Sequence, residues 1–465
     1  MPLTNPVPAD VAALRAVFAG RLVLPGDESW DADRQAWNLA VDQRPEMVAL
    51  PESADDVRAL VAFAQRRGLR ILMQGTGHGA APIGPLAGTL LVRTSEMRDL
   101  RIDAEHRIAR AEAGVLWAEV VEAASELGLA PLAGSSPDVG VVGYTLGGGM
   151  GWLGRRYGLA SERVLAIEVV TADGRLVRTD RRTEPELFWA LRGGGGSFAA
   201  VTAIEFELVP LTRVYAGMLL WPWERAREVL QAWREWTATA PESVTTSARI
   251  MQIPPVPDVP EFLRGRGVVV IDGAALGDEF SAEQALAPLR ALEPEIDTFA
   301  MVPPAALCRI HMDPEHPVPG LCDHALLDAL PAEAVDRLVD ACGPGSGSPL
   351  LSVELRHAGG ALARPGSGAL GSIPAQYVLF ALGGLMAPSM AGPIRVYQAR
   401  AKAALAAATS RRQYPNFADR PADPAAFYGE EVHARLIRVK AQLDPDDLFR
   451  GRHEIAVAGE LAAAA

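Results

Sequence analysis

Cysteine is scarce in this chain. Three in 465 residues, Cys308, Cys322 and Cys342, supply no disulfide framework and suit a reducing compartment. Positive charge is outweighed as well. Lys and Arg number 44 against 57 Asp and Glu, a net charge of −13, with the acids spread along the chain rather than blocked. That balance argues against non-specific binding to nucleic acid or to an anionic membrane, both of which need positive patches. The start, "MPLTNPVPAD", lacks a basic region followed by an apolar one, so no secretory signal is visible and a cytoplasmic location is expected. The uncharged run 139–154 is glycine-rich and too short to span a bilayer. No internal repeat is visible.

What is present is a globular composition, 49% hydrophobic, in a chain too long for one ordinary core. Two domains are therefore expected, one of them split in sequence. The stretch 46–79 reads as strand, helix, strand. Ser53 and Asp56 form a capping box, Val57, Leu60, Val61 and Ala64 share one helical face, and Gly68 stops the helix. Residues 98–117 read as two strands around a turn, 118–127 as an amphipathic helix, and 164–180 as a hairpin turning at Asp173 and Gly174. Beyond about residue 210 the glycine runs stop. Helical patterns appear at 224–236, 282–292 and 396–408, with strand-like pieces "GVVVIDGAAL" and "PLLSVELRHAGGAL", and a last helix ends at Asp444 and Pro445. Boundaries fall near 209 and 409.

The segment "ILMQGTGHG" (71–79) sets three glycines around one histidine directly after a strand. A nicotinamide-dinucleotide fold needs G-x-G-x-x-G opening straight into a helix. Here the spacing is G-x-G-x-G, and Pro82 and Pro85 follow. A tight turn with His78 hydrogen-bonded in place is the plain alternative. The third reading is a flavin loop, whose backbone amides nest a pyrophosphate while the histidine reaches the ring.

Five segments decide among these. "PESADDVRALVAFA", "GTGHG", "SSPDVGVVGYTLGGGMGWLGRRYGLA", "VVTADG…TEPELFWALRGGGGSFAAVTAIEFEL" and "YPNF…VKAQLDPDDLFR" span most of 46–209 and 414–450. In their order the chain resembles the FAD-linked oxidases of the vanillyl-alcohol oxidase / p-cresol methylhydroxylase fold, most of all their berberine-bridge-enzyme-like branch. The resemblance implies an α+β fold: a two-part FAD-binding domain, 1–208 and 409–465, with an inserted substrate-binding domain, 209–408, of antiparallel sheet covered by helices. It implies FAD joined covalently through His78, and contacts to the cofactor from Gln74, Gly75, Thr76, Gly77 and Gly79. Ser135, Ser136, Val139, Gly140, Gly143, Gly148, Gly149, Gly151, Val169 and Asn416 complete that set. "GGGMG" is expected to bring backbone against the flavin, and "RGGGGSF" to be a turn with at most indirect contact.

The chain also departs from the family. Ser136 stands where many relatives carry a second, cysteinyl link, and a hydroxyl without an activating base is a poor nucleophile, so a single linkage is expected. Gln74 replaces a frequent arginine. Val139 matches the position that gates dioxygen, and a small valine there resembles oxidases. "YPNF" keeps Asn416 and Tyr414 but puts Phe417 where the common tyrosine base sits. The catalytic candidates are therefore Glu354, His357, Tyr144 and Tyr414, with Arg249, His311 and Phe417 as substrate contacts. In "LLSVELRHAGG", Glu354 and Arg356 share one strand face, while Leu355 and His357 share the other. Cys308, His311, His316, Cys322 and His324 suggest a metal site at first sight, but prolines at 314, 317 and 319 break every regular ligand spacing, and no metal is expected.

The expected activity is hydride transfer from a small organic molecule, an alcohol, hemiacetal, amine or polyketide-like intermediate, to FAD, with reoxidation by dioxygen. The Ala, Arg and Gly content hints at a bacterial source and natural-product tailoring. Two alternatives stay open: a dehydrogenase with another electron acceptor, and a flavin-binding protein without turnover. Homodimer formation is left open.

Overall fold

The computed structural model describes residues 9–457, apart from 258 and 260. Residues 1–8 and 458–465 lie outside the described residues, and with them the terminal "LAAAA" (461–465), the one stretch expected from its composition to be a frayed tail. The fold is α+β, with three main sheets.

The first sheet grows from the strand–helix–strand unit. Met47–Leu50, Thr89–Arg93, Arg70–Gln74 and the distant Phe449–Arg450 run parallel, with Arg21–Val23 antiparallel on the outer edge. Ala54–Arg67 is the crossover helix. Ser53 caps it, its side chain accepting from the Asp56 amide at 3.2 Å, and Gly68 ends it at φ +61°. The expected reciprocal half of the capping box is redirected. The Asp56 carboxylate accepts from the amides of Ala19 (2.9 Å) and Glu52 (3.0 Å), tying the N-terminal segment to the helix.

The second sheet, antiparallel, orders Leu100–Asp103, Ile108–Glu112, Ala200–Glu207, Val164–Val170 and Leu176–Thr179. The last two form the hairpin through Asp173 and Gly174, the latter at φ +81°. The third sheet is also antiparallel. Its long strands, in spatial order, are Val214–Pro222, Gly267–Ala275, Val244–Gln252, Ser352–His357, Tyr377–Gly384 and Gly320–Leu327. An uncharged run longer than 139–154, residues 365–394, contributes the strand Tyr377–Gly384 to this sheet rather than a spanning helix. Among the described residues no helix is long and apolar enough to cross a membrane.

Period-two alternation splits the third sheet into two unlike faces. Leu219, Trp221, Ala248, Ile250, Ile271, Val353, Leu355 and Leu379 point to one side and pack under the helices Ala226–Thr237, Glu279–Arg290, Ala332–Cys342 and Ala391–Ala404. Each of the valine, leucine and isoleucine side chains among them, fully buried, contributes roughly 1.5–3 kcal/mol. The other face looks toward the glycine-rich part of the chain.

One buried ion pair fastens the C-terminal strand. Lys440, fully buried in the helix Glu430–Leu443, donates to Asp444 Oδ2 (2.5 Å), to the Phe449 carbonyl (2.9 Å) and to the Ser197 carbonyl (2.8 Å). A charge in that position is tolerable only because all three donor sites are filled.

Candidate active site

A cavity of about 1170 Å³ separates the glycine-rich loops from the free face of the third sheet. That exceeds the roughly 300–1,000 Å³ usual for a single small ligand, and leaves room for a dinucleotide and a substrate together.

On the loop side the wall is backbone. The strand Arg70–Gln74 delivers the chain to the turn at 75–79, all of which lines the cavity. Gly77 takes φ +90°, and a Cβ there would press on Ala36 Cα at 2.9 Å. A Cβ on Gly79 would strike the Arg452 guanidinium at 2.9 Å. Gly140, Gly143, Gly147, Gly193, Gly195 and Gly196 extend the same wall. At Gly147 a side chain would collide with Asn416 Oδ1, whose Nδ2 donates to the Tyr144 carbonyl at 2.9 Å. Gln74 and Gln43 exchange a pair of amide hydrogen bonds, 2.9 and 3.0 Å, which holds the start of the turn.

His78 sits in this wall. Its Nδ1 lies 2.7 Å from Thr76 Oγ1, and its ring stacks on Trp37 with centroids 4.0 Å apart. Trp37 donates from Nε1 to Asp138 Oδ2 at 2.5 Å, and Asp138 Oδ1 stands 3.4 Å from His78 Nε2. Both His78 Nε2 and Asp138 Oδ1 are buried without a hydrogen-bond partner. A buried polar atom left so costs about 1–3 kcal/mol, and a bound group that engages it removes that cost. The glycine-lined slot and the unpartnered imidazole nitrogen fit a flavin dinucleotide, whose phosphates backbone amides can nest and whose ring needs close backbone approach.

On the sheet side the wall is side chains. One row across the strands reads Leu220, Val270, Arg249, Glu354, Phe380, His324, and the adjoining row reads Met218, Asp272, Ser247, Arg356, Val378, Leu326. Arg249, Asp272, Glu354 and His311 are all nearly or fully buried. Arg249 donates to Asp272 Oδ2 (2.5 Å) and to the His311 carbonyl (3.0 Å), and His311 Nδ1 is 2.7 Å from the same Asp272 oxygen. Glu354 faces His311 Nε2 at 3.5 Å and accepts from Arg356 Nε at 2.5 Å. Arg356 packs over the Phe417 ring at 5.1 Å. Ser135 and Ser136 both donate to Asp313, at 3.0 and 2.7 Å.

Burial works to lift the Glu354 carboxyl, but Arg356, His311 and Arg249 outweigh it and hold the group well below the usual carboxylate range. Burial and Arg249 pull the His311 imidazole down, yet the carboxylates of Asp272, Glu354 and Asp313 prevail and raise it to about 9. At neutral pH the run is therefore cation, anion, cation, anion, fixed in place. Burial pushes the Tyr414 hydroxyl up to about 12 and that of Tyr144 well above its ordinary value, so both stay neutral.

Residues 45–180 match the family model of an FAD-binding domain, and 413–456 match that of berberine and berberine-like proteins. The chain is 36% identical over 203 residues to the (R)-6-hydroxynicotine oxidase of Paenarthrobacter nicotinovorans, a match covering 43% of this chain and 44% of that enzyme. The crystal structure of 6-hydroxy-D-nicotine oxidase from Arthrobacter nicotinovorans superimposes with a TM-score of 0.81 at 26% identity, over 94% of this chain and 98% of that one. The chain thus combines an FAD-binding domain with a berberine-like C-terminal segment, a pairing that resembles the berberine-bridge-enzyme-like FAD-linked oxidoreductases. The fold alone is shared with the BBE-like 1 protein of Physcomitrella patens, at a TM-score of 0.84 and 20% identity over 96% of this chain and 99% of that one. The matched stretch spans less than half the length of curated relatives such as the nicotine oxidase and the glucooligosaccharide oxidase of Sarocladium strictum.

Most of the residues singled out in the sequence line the cavity: 74–79, Ser135, Ser136, Val139, Gly140, Gly143, Tyr144, Tyr414, Asn416, Phe417, Arg249, His311 and Glu354. Five lie elsewhere. His357 is not in the cavity wall. Its Nε2 is 2.8 Å from Arg155 Nη1 and its ring stacks on Tyr377 at 5.7 Å; burial, then Arg155, lowers it to about 3. Val169 is buried inside the second sheet between Val201 and Val177. Gly148, Gly149 and Gly151 face protein: a Cβ on each would meet Leu370, Tyr144 and the Ala133 carbonyl. The glycine of that run that reaches the cavity is Gly147.

Other wall residues escaped sequence reasoning. "RGGGGSF" was expected to be a turn with at most indirect contact, yet Gly193, Gly195 and Gly196 are in the wall. Trp37 lines the wall and Asp138, the acid inside "SSPDVG", holds it from outside the lining; neither carried a signal of its own in the sequence. Arg450 and Arg452 arrive with "FRGRHEI" because Phe449 pairs with Ile71 beside the glycine turn. Of the cysteine and histidine cluster at 308–324, His311 joins the ion network, His324 Nε2 accepts from the Tyr414 amide at 3.1 Å, and Cys308 donates to the Ala305 carbonyl at 3.3 Å. Among the described residues no group of three or more such side chains could hold a metal.

Proposed function

We propose that the protein is an oxidase carrying FAD on His78 by a single covalent link, oxidising a small organic substrate and returning electrons to dioxygen. The chain would divide as 1–208 with 409–465 for the cofactor and 209–408 for the substrate. The observation that carries this reading is the unpartnered, buried Nε2 of His78 in a wall whose turns are rich in glycine. Single attachment is supported at Ser136, whose hydroxyl is spent on Asp313. Dioxygen as acceptor is supported by Val139 in the wall and by relatives named as oxidases.

When bound, FAD supplies the hydride acceptor. The chain's own groups then do the rest. Thr76, Trp37 and Asp138 fix the His78 ring, and the amides of 75–79 hold phosphate charge. Arg356 and the charged His311 orient an oxygen or nitrogen of the substrate by donated hydrogen bonds. Glu354 keeps those two cations in place and, with its strongly lowered pKa, accepts a proton poorly. A proton leaving the substrate therefore passes to water.

Acid precipitation tests the link: yellow colour should stay with the protein and peptide mapping should place it on His78. Flavin bleaching under argon on screening alcohols, amines and phenolic polyketides tests catalysis, and failure of all of them favours a carrier. Stopped-flow reoxidation in air separates oxidase from dehydrogenase, sluggish recovery favouring the latter.

A further inference from the structure

The free face of the third sheet changes character along each row, and nothing in the reaction explains why. At its centre stand Arg249, Glu354, Asp272 and Arg356. Toward the edge, in register with them, stand Leu220 and Val270 beside Arg249 and Met218 beside Asp272, and the next row adds Met251 and Leu382. All of these aliphatic and thioether side chains line the same cavity as His78. Its outer rim is largely apolar: Val256, Met312 and Met386 line it while 37%, 56% and 75% exposed, with the exposed His316 four residues on from Met312 as the polar member. Met312 holds this place at φ +57°, an unusual conformation for a residue with a side chain.

We propose that the substrate is amphipathic, with an oxygen-bearing head at the Arg249–His311–Arg356 cluster and a hydrocarbon body lying on the outer, aliphatic part of the sheet. The head is assigned by donors. Arg249 is 4% exposed, and its Nε is buried with no partner although its other nitrogens are bound. A carbonyl, enol or alcohol oxygen brought into the wall would satisfy it at no desolvation cost to the guanidinium.

The body is assigned by what the outer part cannot offer. A saccharide brings several hydroxyls, and each one buried without a partner costs about 1–3 kcal/mol. Of the sheet residues lining that part, Gln252 has the largest polar side chain, and its Nε2 is already given to the carbonyls of Ser348 (2.6 Å) and Leu350 (2.9 Å). Phe380 is the one aromatic ring the sheet's share of the wall presents, and it is taken up against Phe417 at 4.8 Å. Methionines, which fit irregular apolar shapes, make up much of the rest. This separates the protein from relatives named for glucooligosaccharide and chitooligosaccharide oxidation. It rests on the oxidase reading only for which end of the molecule reacts.

Titration calorimetry on the oxidised holoenzyme tests it without turnover. The probes are the straight-chain 1-alkanols from butanol to decanol, with xylobiose as the polar comparison. Affinity is expected to rise about fourfold per methylene until the arm is filled, with a heat-capacity change that grows more negative along the series. Met386→Glu at the exposed rim and Leu220→Asn within the arm should each flatten that increment, the first without burdening the core. A steep series supports the proposal whether or not any alkanol bleaches the flavin, because heat reads binding and bleaching reads the reaction. A flat series, or xylobiose binding more tightly than every alkanol, overturns it.

Discussion

The cavity's two walls are made by opposite means. On the cofactor side the chain offers backbone, at glycines 75, 77, 79, 140, 143, 147, 193, 195 and 196, and side chains there serve mainly to hold the turns in place. On the sheet side it offers side chains in register, and the backbone is wholly occupied by strand pairing. A wall of backbone suits a ligand whose structure never varies. A wall of side chains can be rewritten strand by strand without disturbing the pairing, which is where a family would vary its substrates. The same contrast shows in charge. The cofactor side leaves His78 Nε2 and Asp138 Oδ1 unpartnered, whereas the sheet side matches buried cations to buried anions almost completely.

The strongest break of this comparison is His78→Ala, which removes the only side chain expected to bond the cofactor. All colour should separate from protein on acid precipitation, while a Ser136→Ala variant should keep it. Colour retained without His78 would sink the assignment.

Next in size is Lys440→Met, which asks whether the glycine wall stands by itself. It leaves Asp444 buried and unpaired and frees the carbonyls of Ser197 and Phe449, so a loss of about 3–5 kcal/mol is expected in denaturant unfolding. An unchanged midpoint would show that the C-terminal strand does not depend on the ion pair.

The pH dependence of stability sharpens the contrast in charge. His311 is raised to about 9 from 6.5, so its contribution is fully present below 6.5 and is lost as the pH rises through 9, by up to about 3 kcal/mol. Burial lowers His324 to about 4 and His357 and His453 to about 3. Their contribution is present above 6.5 and is lost as the pH falls toward 3. Thermal melts should therefore peak near pH 6.5, and His311→Gln should flatten the alkaline side while leaving the acid side steep.

The smallest effect is expected from Gly147→Ala. Its methyl would have to displace Asn416, a disturbance worth about 1–3 kcal/mol, read as lower FAD content after purification. Gly140→Ala, where a Cβ meets nothing within 4 Å, is the control for bulk alone.

Much of the fold was legible because its signals are local. The capped helix Ala54–Arg67 announces itself by Ser53 and Gly68, the hairpin by Asp173 and Gly174, and the glycine turn by its own composition. The reading failed where a local signal had two structural uses. "GGGMG" and "RGGGGSF" look alike on paper, yet in the first Gly148, Gly149 and Gly151 pack against protein and only Gly147 reaches the cavity, while the second supplies three glycines to it. His357 and Glu354 were both proposed for chemistry from one strand, but alternation can hold only one of them in the cavity.

By itself, then, the sequence determined the strand–helix alternation, the turn that carries His78 and the absence of a cysteine at 136, since each depends on neighbours a few residues away. Only the tertiary structure decided that Arg249, Asp272, His311 and Glu354 form one buried network, that Asp138 and Trp37 flank the imidazole, and that the sheet's outer face is aliphatic. Those contacts join segments tens to hundreds of residues apart, and their energies come from burial and register, which exist only once the chain has closed on itself.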